Sequence, residues 1–350
     1  MTDEPASERG AQIVGLDAMQ VGEGVGLGRT GLRVTRMGLG TAPLGNLYQE
    51  VGEEQAKAVA ERAYQRGVRF FDTAPLYGYG LAEQRVGAML ASVPRDSFVL
   101  ATKVGRLLRP GVAPDPAQFF EDEPFYKTTP PITPVFDFSY DGVMRSLEES
   151  LARLGLDRVD ILHIHDPDEH HDEAIEGAYR ALDKLRSEGA ISAVGAGMNQ
   201  AEMLARFAGE ADFDCFLLAG RYTLLDQAGL RELLPLCQAK GISIIVGGVY
   251  NSGLLADPKP GARFDYVPAP VHLVERARRL GEVGSNHGVS LKAMALRFPF
   301  GHPAVATVLV GCRSVTELEA NVEAFEAKVP GELWQELKAE GLLEEEVPTP

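Results

Sequence analysis

The stretch GLGRTG, Gly26 to Gly31, matches G-x-G-x-x-G letter for letter. As a dinucleotide fingerprint it would follow a strand, open a helix and signal a doubly wound sheet. Its flanks say otherwise. The preceding residues are DAMQVGEGV, and LRVTRMGLGTA after it runs directly into a strand-like segment. No helical pattern opens at the glycines. The stretch therefore reads as a turn, and the fold must be taken from the rest of the chain.

Downstream, short β-rich runs alternate with longer amphipathic ones. The runs are RMGLGTA (36–42), VRFFDTA (68–74), FVLATKV (98–104), RVDILHIH (158–165), ISAVGAG (191–197), FDCFLLAG (213–220), ISIIVGG (242–248) and VATVLVG (305–311). They are nearly continuous in apolar residues, as expected of parallel strands covered on both faces. A helical pattern follows each. In EEQAKAVAERAYQRG (53–67), Ala56, Val59, Ala60, Ala63 and Tyr64 share one face, acids fill the first turn, and Gly67 supplies a stop. Eight strand-then-helix units predict an α/β fold, a single (β/α)8 TIM barrel. We expect a polar extension over 1–25, a barrel over 26–343 and a tail over 344–350. Long loops follow the third strand (105–138) and the seventh (249–270). Loops of that length at the strands' C-terminal ends read as lids or binding loops.

Composition narrows the function classes. Of 350 residues 45% are hydrophobic and 24% charged, which suits a globular protein with a large core. The net charge of −16 argues against nucleic acid and anionic membranes as partners, since Lys and Arg supply phosphate contacts. The segment MTDEPASERGAQ is too acidic and polar for a signal peptide, and no apolar run approaches the ~20 residues of a membrane span. Cys215, Cys237 and Cys312 are too widely spaced for a zinc pattern or a disulfide framework. These features together predict a cytoplasmic protein acting on a small molecule. Oligomeric state is not encoded legibly.

Barrel chemistry gathers at the C-terminal ends of strands. There the second strand carries Asp72, with Tyr77 five residues on; the third carries Lys103; the fourth carries His165, then Asp166 and Pro167. Singly, each has a structural explanation: a turn cap, a snorkelling lysine, a core histidine. Together they suit proton transfer at a carbonyl or alcohol oxygen. A phenol near pKa ~10 is a poor base at neutrality, so a neighbouring Lys103 ammonium is expected to lower it. Asp72 would fix Lys103, and His165 would orient the substrate oxygen. A hydride carrier would be the missing partner.

The segments LGRTGLRVTRMGLGTAPLG, FFDTAPLYGYGLAEQRVG, ATKVG, LHIHDPD and VLVGCRSVTELEANVEAF resemble the aldo-keto reductases over about residues 26–328. The resemblance implies a barrel opened by a β-hairpin plug and a catalytic tetrad of Asp72, Tyr77, Lys103 and His165. It further implies a nicotinamide cofactor held by Gly40, Thr41, Asn199, Gly247, Gly311, Arg313, Ser314, Glu317 and Asn321. The stretch from Ile164 to Gln200, with LLAGRYTLLDQ, is similar to the D-threo-aldose 1-dehydrogenase (L-fucose dehydrogenase) branch. That branch implies oxidation of an aldose of the L-fucose, L-galactose or D-arabinose type at its anomeric carbon, giving a lactone. Pyridoxal oxidation or general carbonyl reduction is the alternative. Three places depart from the family pattern. Gly197-Met198 replaces Ser-Asn, Ala219 replaces Gln, and Gly247 replaces Tyr. Asn199 is then expected to hold the carboxamide, with Tyr250 or Tyr222 walling the ring.

GCRSVTELEAN (311–321) follows the eighth strand and opens a helix, so it suits the pyrophosphate, with Ser314 as cap. Glu317 would repel a 2′-phosphate while Arg313 would attract one; NAD is favoured over NADP. Two rival readings remain. HIH at 163–165 invites a metal-dependent barrel hydrolase, but the later strand ends offer no further ligands, so no metal is expected. A non-catalytic, cofactor-sensing subunit is the other, and an intact tetrad speaks against it.

Overall fold

The structure is a computed structural model and describes residues 19–350. Eight parallel strands close into a barrel: β1 (Met37–Gly40), β2 (Phe70–Asp72), β3 (Val99–Val104), β4 (Ile161–His165), β5 (Ala193–Met198), β6 (Cys215–Ala219), β7 (Ser243–Gly247) and β8 (Val305–Gly311). Every expected run overlaps one of them, β5 reaching one residue past its run. Most of the expected extension lies outside the described residues, but Met19 and Val21 are buried in the core.

The outer ring is α1 (Glu53–Gln65), α2 (Leu81–Leu90), α3 (Tyr140–Leu154), α4 (Arg180–Ser187), α5 (Ala201–Glu210), α6 (Leu233–Lys240), α7 (Val271–Asn286), α8 (Leu291–Arg297), α9 (Val315–Glu326) and α10 (Gly331–Ala339). Helices α8 and α10 were not anticipated. In α8 five consecutive residues, Ala293 to Arg297, are buried, so it shows no polar stripe to betray a helical period. The helical turn before α4 widens to a π-helix over Ala174–Tyr179.

GLGRTG is the tip of a hairpin. Gly24–Gly26 pairs antiparallel with Arg33–Thr35, and the Leu27 amide donates to the Leu32 carbonyl at 3.0 Å. Leu27 and Val34 enter the barrel interior beside Phe70, Val99, Ala101, Ile161 and Ala193. Gly28 has φ +54, and a Cβ there would collide with the Asp214 carbonyl oxygen; its amide donates to Ser243 Oγ at 2.7 Å. The pattern's second glycine thus serves close backbone approach at the foot of β6 and β7, with no phosphate involved.

Strand alternation then builds the site. On β2, Phe70 points inward and Asp72 follows on the same face. On β3 the inward row is Val99, Ala101, Lys103, and on β4 it is Ile161, His163, His165. The apolar members of these rows form one interior cluster with the hairpin, while Phe71, Leu100, Leu162 and Ile164 pack outward against the helices. Each polar side chain therefore caps an apolar row.

Both long loops are ordered arms. In the first, Arg106–Pro110 pairs with Ile132–Phe136, and Phe119–Phe120 pairs with Glu123–Pro124. The second carries a small hairpin, Arg263–Phe264 with Val267–Pro268. The arms meet where Phe125 and Tyr266 pack at 5.8 Å between ring centroids. The Tyr48 amide donates to the Phe125 carbonyl at 2.7 Å, tying the first arm to the loop after β1.

Candidate active site

Lys103 is 1% exposed and Asp72 2% exposed. A buried ammonium survives only when paired and hydrogen-bonded. Lys103 Nζ meets both demands: it donates to Asp72 Oδ1 at 2.6 Å and to the Thr73 carbonyl at 2.9 Å. The other carboxylate oxygen, Oδ2, is buried without a hydrogen-bond partner among the described residues. Burial pushes the Asp72 carboxyl up, and Lys103 pulls it back.

Tyr77 is set by a tight backbone crossing. Gly45 and Gly78 face each other so closely that a Cβ on either would strike the other loop's backbone, and Gly78 has φ +64. This fixes the Tyr77 ring with Lys103 Nζ 4.7 Å from its centroid and His165 edge-on at 5.9 Å. The expected quartet from three strands is thus brought together. One expectation is corrected. Lys103 does not lower the Tyr77 phenol in this geometry. Burial drives it well above its ordinary value, and the Asp72 carboxylate adds to the rise.

Burial disfavours the charged form of both histidines on β4. Burial carries His165 well below its ordinary value, assisted by the charges of Arg106 and Lys103. His163, one step deeper, is pushed to about 3 by burial and by Lys103, and neither ring nitrogen has a partner. Among the described residues, no group of three or more His, Cys, Asp or Glu side chains is arranged to hold a metal ion.

A cleft of about 500 Å³ runs from Asp72 and Tyr77 across the strand ends to α9. Gly40, Asn199, Gly247, Gly311, Arg313, Glu317 and Asn321 all line it. Thr41 and Ser314 do not. Thr41 is fully buried under the floor, its amide donating to the Asp72 carbonyl at 2.9 Å. Ser314 caps α9, its Oγ accepting from the Glu317 amide at 3.1 Å. Of the two tyrosines proposed as a wall, Tyr250 lines the cleft and bonds Asn321 Oδ1 at 2.9 Å. Tyr222 lies in the core against Phe298 and cannot reach the cleft.

The floor suits a flat ring. A Cβ at Gly40 would meet no atom closer than 3.7 Å, an ordinary contact with Leu309. Gly247 and Gly311 are tighter: an added Cβ would come within 3.2 Å of Leu217 Cδ2 at the first and 2.7 Å of Pro43 Cγ at the second. At the far end Arg313 Nη2 pairs with Glu317 Oε1 at 3.0 Å, so each spends its charge on the other. Sequence reading missed Lys292, which lines the cleft from α8 with no hydrogen bond or ion pair among the described residues. It also missed the Arg106–Asp166 pair, whereas Tyr126, an aromatic of the first arm that could line a pocket, does stack on Tyr77 at 6.3 Å. No local motif flags a residue supplied by a distant arm.

The comparisons agree with this geometry. Residues 36–340 match the model of the Aldo/keto reductase family. The chain belongs to that family. It is therefore an oxidoreductase of a family that uses nicotinamide cofactors and acts on small-molecule carbonyl substrates. It is 42% identical to a pyridoxal 4-dehydrogenase of Microbacterium luteolum over 91% of this chain and 97% of that one. It is also 42% identical to a D-threo-aldose 1-dehydrogenase of a Pseudomonas species, with the same two coverages. An aldo-keto reductase from Bacillus halodurans, solved in its holo form, superposes with a TM-score of 0.70 at 26% identity, covering 94% of this chain and 98% of that one. No helix among the described residues is long and apolar enough to cross a membrane.

Proposed function

We propose that this enzyme is an NAD(P)-dependent dehydrogenase that oxidises the anomeric carbon of an aldose, of the L-fucose, L-galactose or D-arabinose type, to a lactone. The observation that carries the reading is the buried Asp72–Lys103 pair beneath Tyr77 and His165, at the end of a cleft floored by Gly40 and Gly247. The relative named for D-threo-aldose 1-dehydrogenation supports the substrate class.

In the proposed mechanism Tyr77 Oη exchanges a proton with the substrate oxygen. In the oxidative direction this demands the phenolate, which burial and Asp72 disfavour, so the deprotonated fraction limits the step; Asp72 holds Lys103 in place beside the ring. Neutral His165 has one N–H to donate to the same oxygen and so orients it. Gly40, Asn199, Gly247 and Tyr250 would hold the nicotinamide ring, and Gly311, Arg313, Glu317 and Asn321 the adenosine side. When bound, that cofactor supplies the hydride chemistry no side chain can perform. With Arg313 neutralised by Glu317, NAD is the favoured acceptor. A cytoplasmic setting matches the three free, buried thiols.

Pyridoxal is the second reading. It is favoured by the aromatic enclosure of Tyr77 by Tyr126, and by the equally similar pyridoxal 4-dehydrogenase. The test is the appearance of reduced nicotinamide with purified protein, NAD or NADP, and L-fucose, L-galactose, D-arabinose, D-glucose or pyridoxal. Turnover of the first three but not D-glucose supports the aldose reading. Turnover of pyridoxal alone moves the substrate. Silence with every substrate, despite saturable cofactor binding, overturns both.

A further inference from the structure

Asp166 follows His165 and takes no part in the proton-transfer scheme above. Its φ is +44, a conformation that a non-glycine residue keeps only where its surroundings impose it. The backbone is pinned there by its amide, which donates to the Gly197 carbonyl at 3.0 Å. Its carboxylate Oδ2 accepts from Arg106 Nη2 at 3.1 Å and lies 3.4 Å from His165 Nε2. Arg106 is itself buried, with its guanidinium 4.5 Å from the centroid of the Phe136 ring.

One half of this carboxylate is therefore committed, and the other is not. Oδ1 has no donor among the described residues, and the side chain keeps 28% of its surface exposed. A lone acceptor beside His165, held rigidly by a buried arginine, is built to receive an O–H. We propose that Asp166, positioned by Arg106, is the specificity-determining acceptor for a substrate hydroxyl on the carbon next to the reacting one. The inference rests on the dehydrogenase reading, and it deepens that reading by naming the feature the substrate must carry. An aldose supplies that hydroxyl at C2; the ring hydroxyl of pyridoxal stands one carbon farther from the reacting carbon, so the inference belongs to the aldose reading.

A site built to bond a hydroxyl rejects the analogue lacking it, because the buried acceptor is left unpaired. Full burial can give a discrimination of 10⁴ or more; with water partly able to replace the hydroxyl here, we expect about 10²–10³ in kcat/KM. The experiment compares wild-type kcat/KM for an aldose and its 2-deoxy counterpart, with whichever cofactor is used. The same ratio is then measured in Asp166→Ala and Asp166→Asn, with cofactor affinity by fluorescence titration as the check on folding. Asp166→Ala is expected to collapse the ratio by lowering kcat/KM for the hydroxylated partner. Asp166→Asn, which keeps a weaker acceptor, should fall between. A wild-type ratio near one overturns the proposal without any variant, as does a ratio that Asp166→Ala leaves unchanged. If the wild type oxidises neither sugar with either cofactor, the aldose reading itself fails, and this assignment with it.

Discussion

Replacing Asp72 by Asn keeps the side chain's shape and removes its charge. Lys103, 1% exposed and 2.6 Å away, then stands as an unpaired ammonium inside the barrel. Breaking a buried pair from one side costs about 3–5 kcal/mol, because the surviving charge cannot return to water. Unfolding entropy near 2.1 cal/mol/K per residue gives about 0.7 kcal/mol per degree for a chain this long, so Tm should fall by about 4–7 °C. Lys103→Met should cost a similar amount, since it strands Asp72, whose Oδ2 is already without a partner. The double variant Asp72→Asn, Lys103→Met buries no charge and should recover most of the loss. Thermal unfolding followed by circular dichroism reads all three, and steady-state turnover is measured on the same preparations. Stability should return in the double variant while turnover does not, separating what the pair does for the fold from what it does for chemistry. An Asp72→Asn protein that melts with the wild type would refute the reasoning. So would a double variant no more stable than the singles.

Three further outcomes follow from the same site. Tyr77→Phe should lower kcat by ~10²-fold or more while cofactor affinity, measured by fluorescence titration, stays near wild type. Because burial and Asp72 hold the Tyr77 phenol well above its ordinary value, kcat/KM for oxidation should climb about tenfold per pH unit through the neutral and mildly alkaline range, where the deprotonated fraction grows. Reduction needs the protonated phenol and should stay flat over that range; an oxidation profile that levels off below neutrality would exclude Tyr77 as the group that titrates. Lys292→Ala should weaken cofactor binding about tenfold, the scale of one charge-assisted phosphate contact. Equal losses for NAD and NADP would indicate the pyrophosphate, and a loss confined to NADP the 2′-phosphate; unchanged affinity for both would rule Lys292 out.

The barrel was legible because each strand, covered on both faces, leaves a short apolar run that ends in glycine or a polar residue. The quartet was legible for the same reason: Asp72, Lys103 and His165 stand at the last inward position of their runs. What escaped notice lies beyond local pattern. Helix α8 hides because it is apolar nearly all round. The arms read as long loops, since their pairing partners, such as Arg106 and Phe136, are thirty residues apart. Tyr222 and Tyr250 were equivalent in sequence, and only packing sends one to the core and the other to the cleft. The direction of the Tyr77 shift is set first by burial and then by Asp72, which spacing does not reveal.

The inward rows also divide the molecule's freedom to change. A one-residue deletion within β4 would turn His165 outward and Leu162 inward, spoiling the proton-transfer site and the barrel interior at one stroke. The residues that handle the proton therefore share their fate with the core that stabilises the chain, and selection cannot alter one without the other. The arms carry no such debt. They join the barrel at the ends of β3 and β7, pair within themselves, and hold Arg106, Tyr126 and Tyr266 over the cleft. New side chains there can change what is admitted while the reaction beneath stays the same.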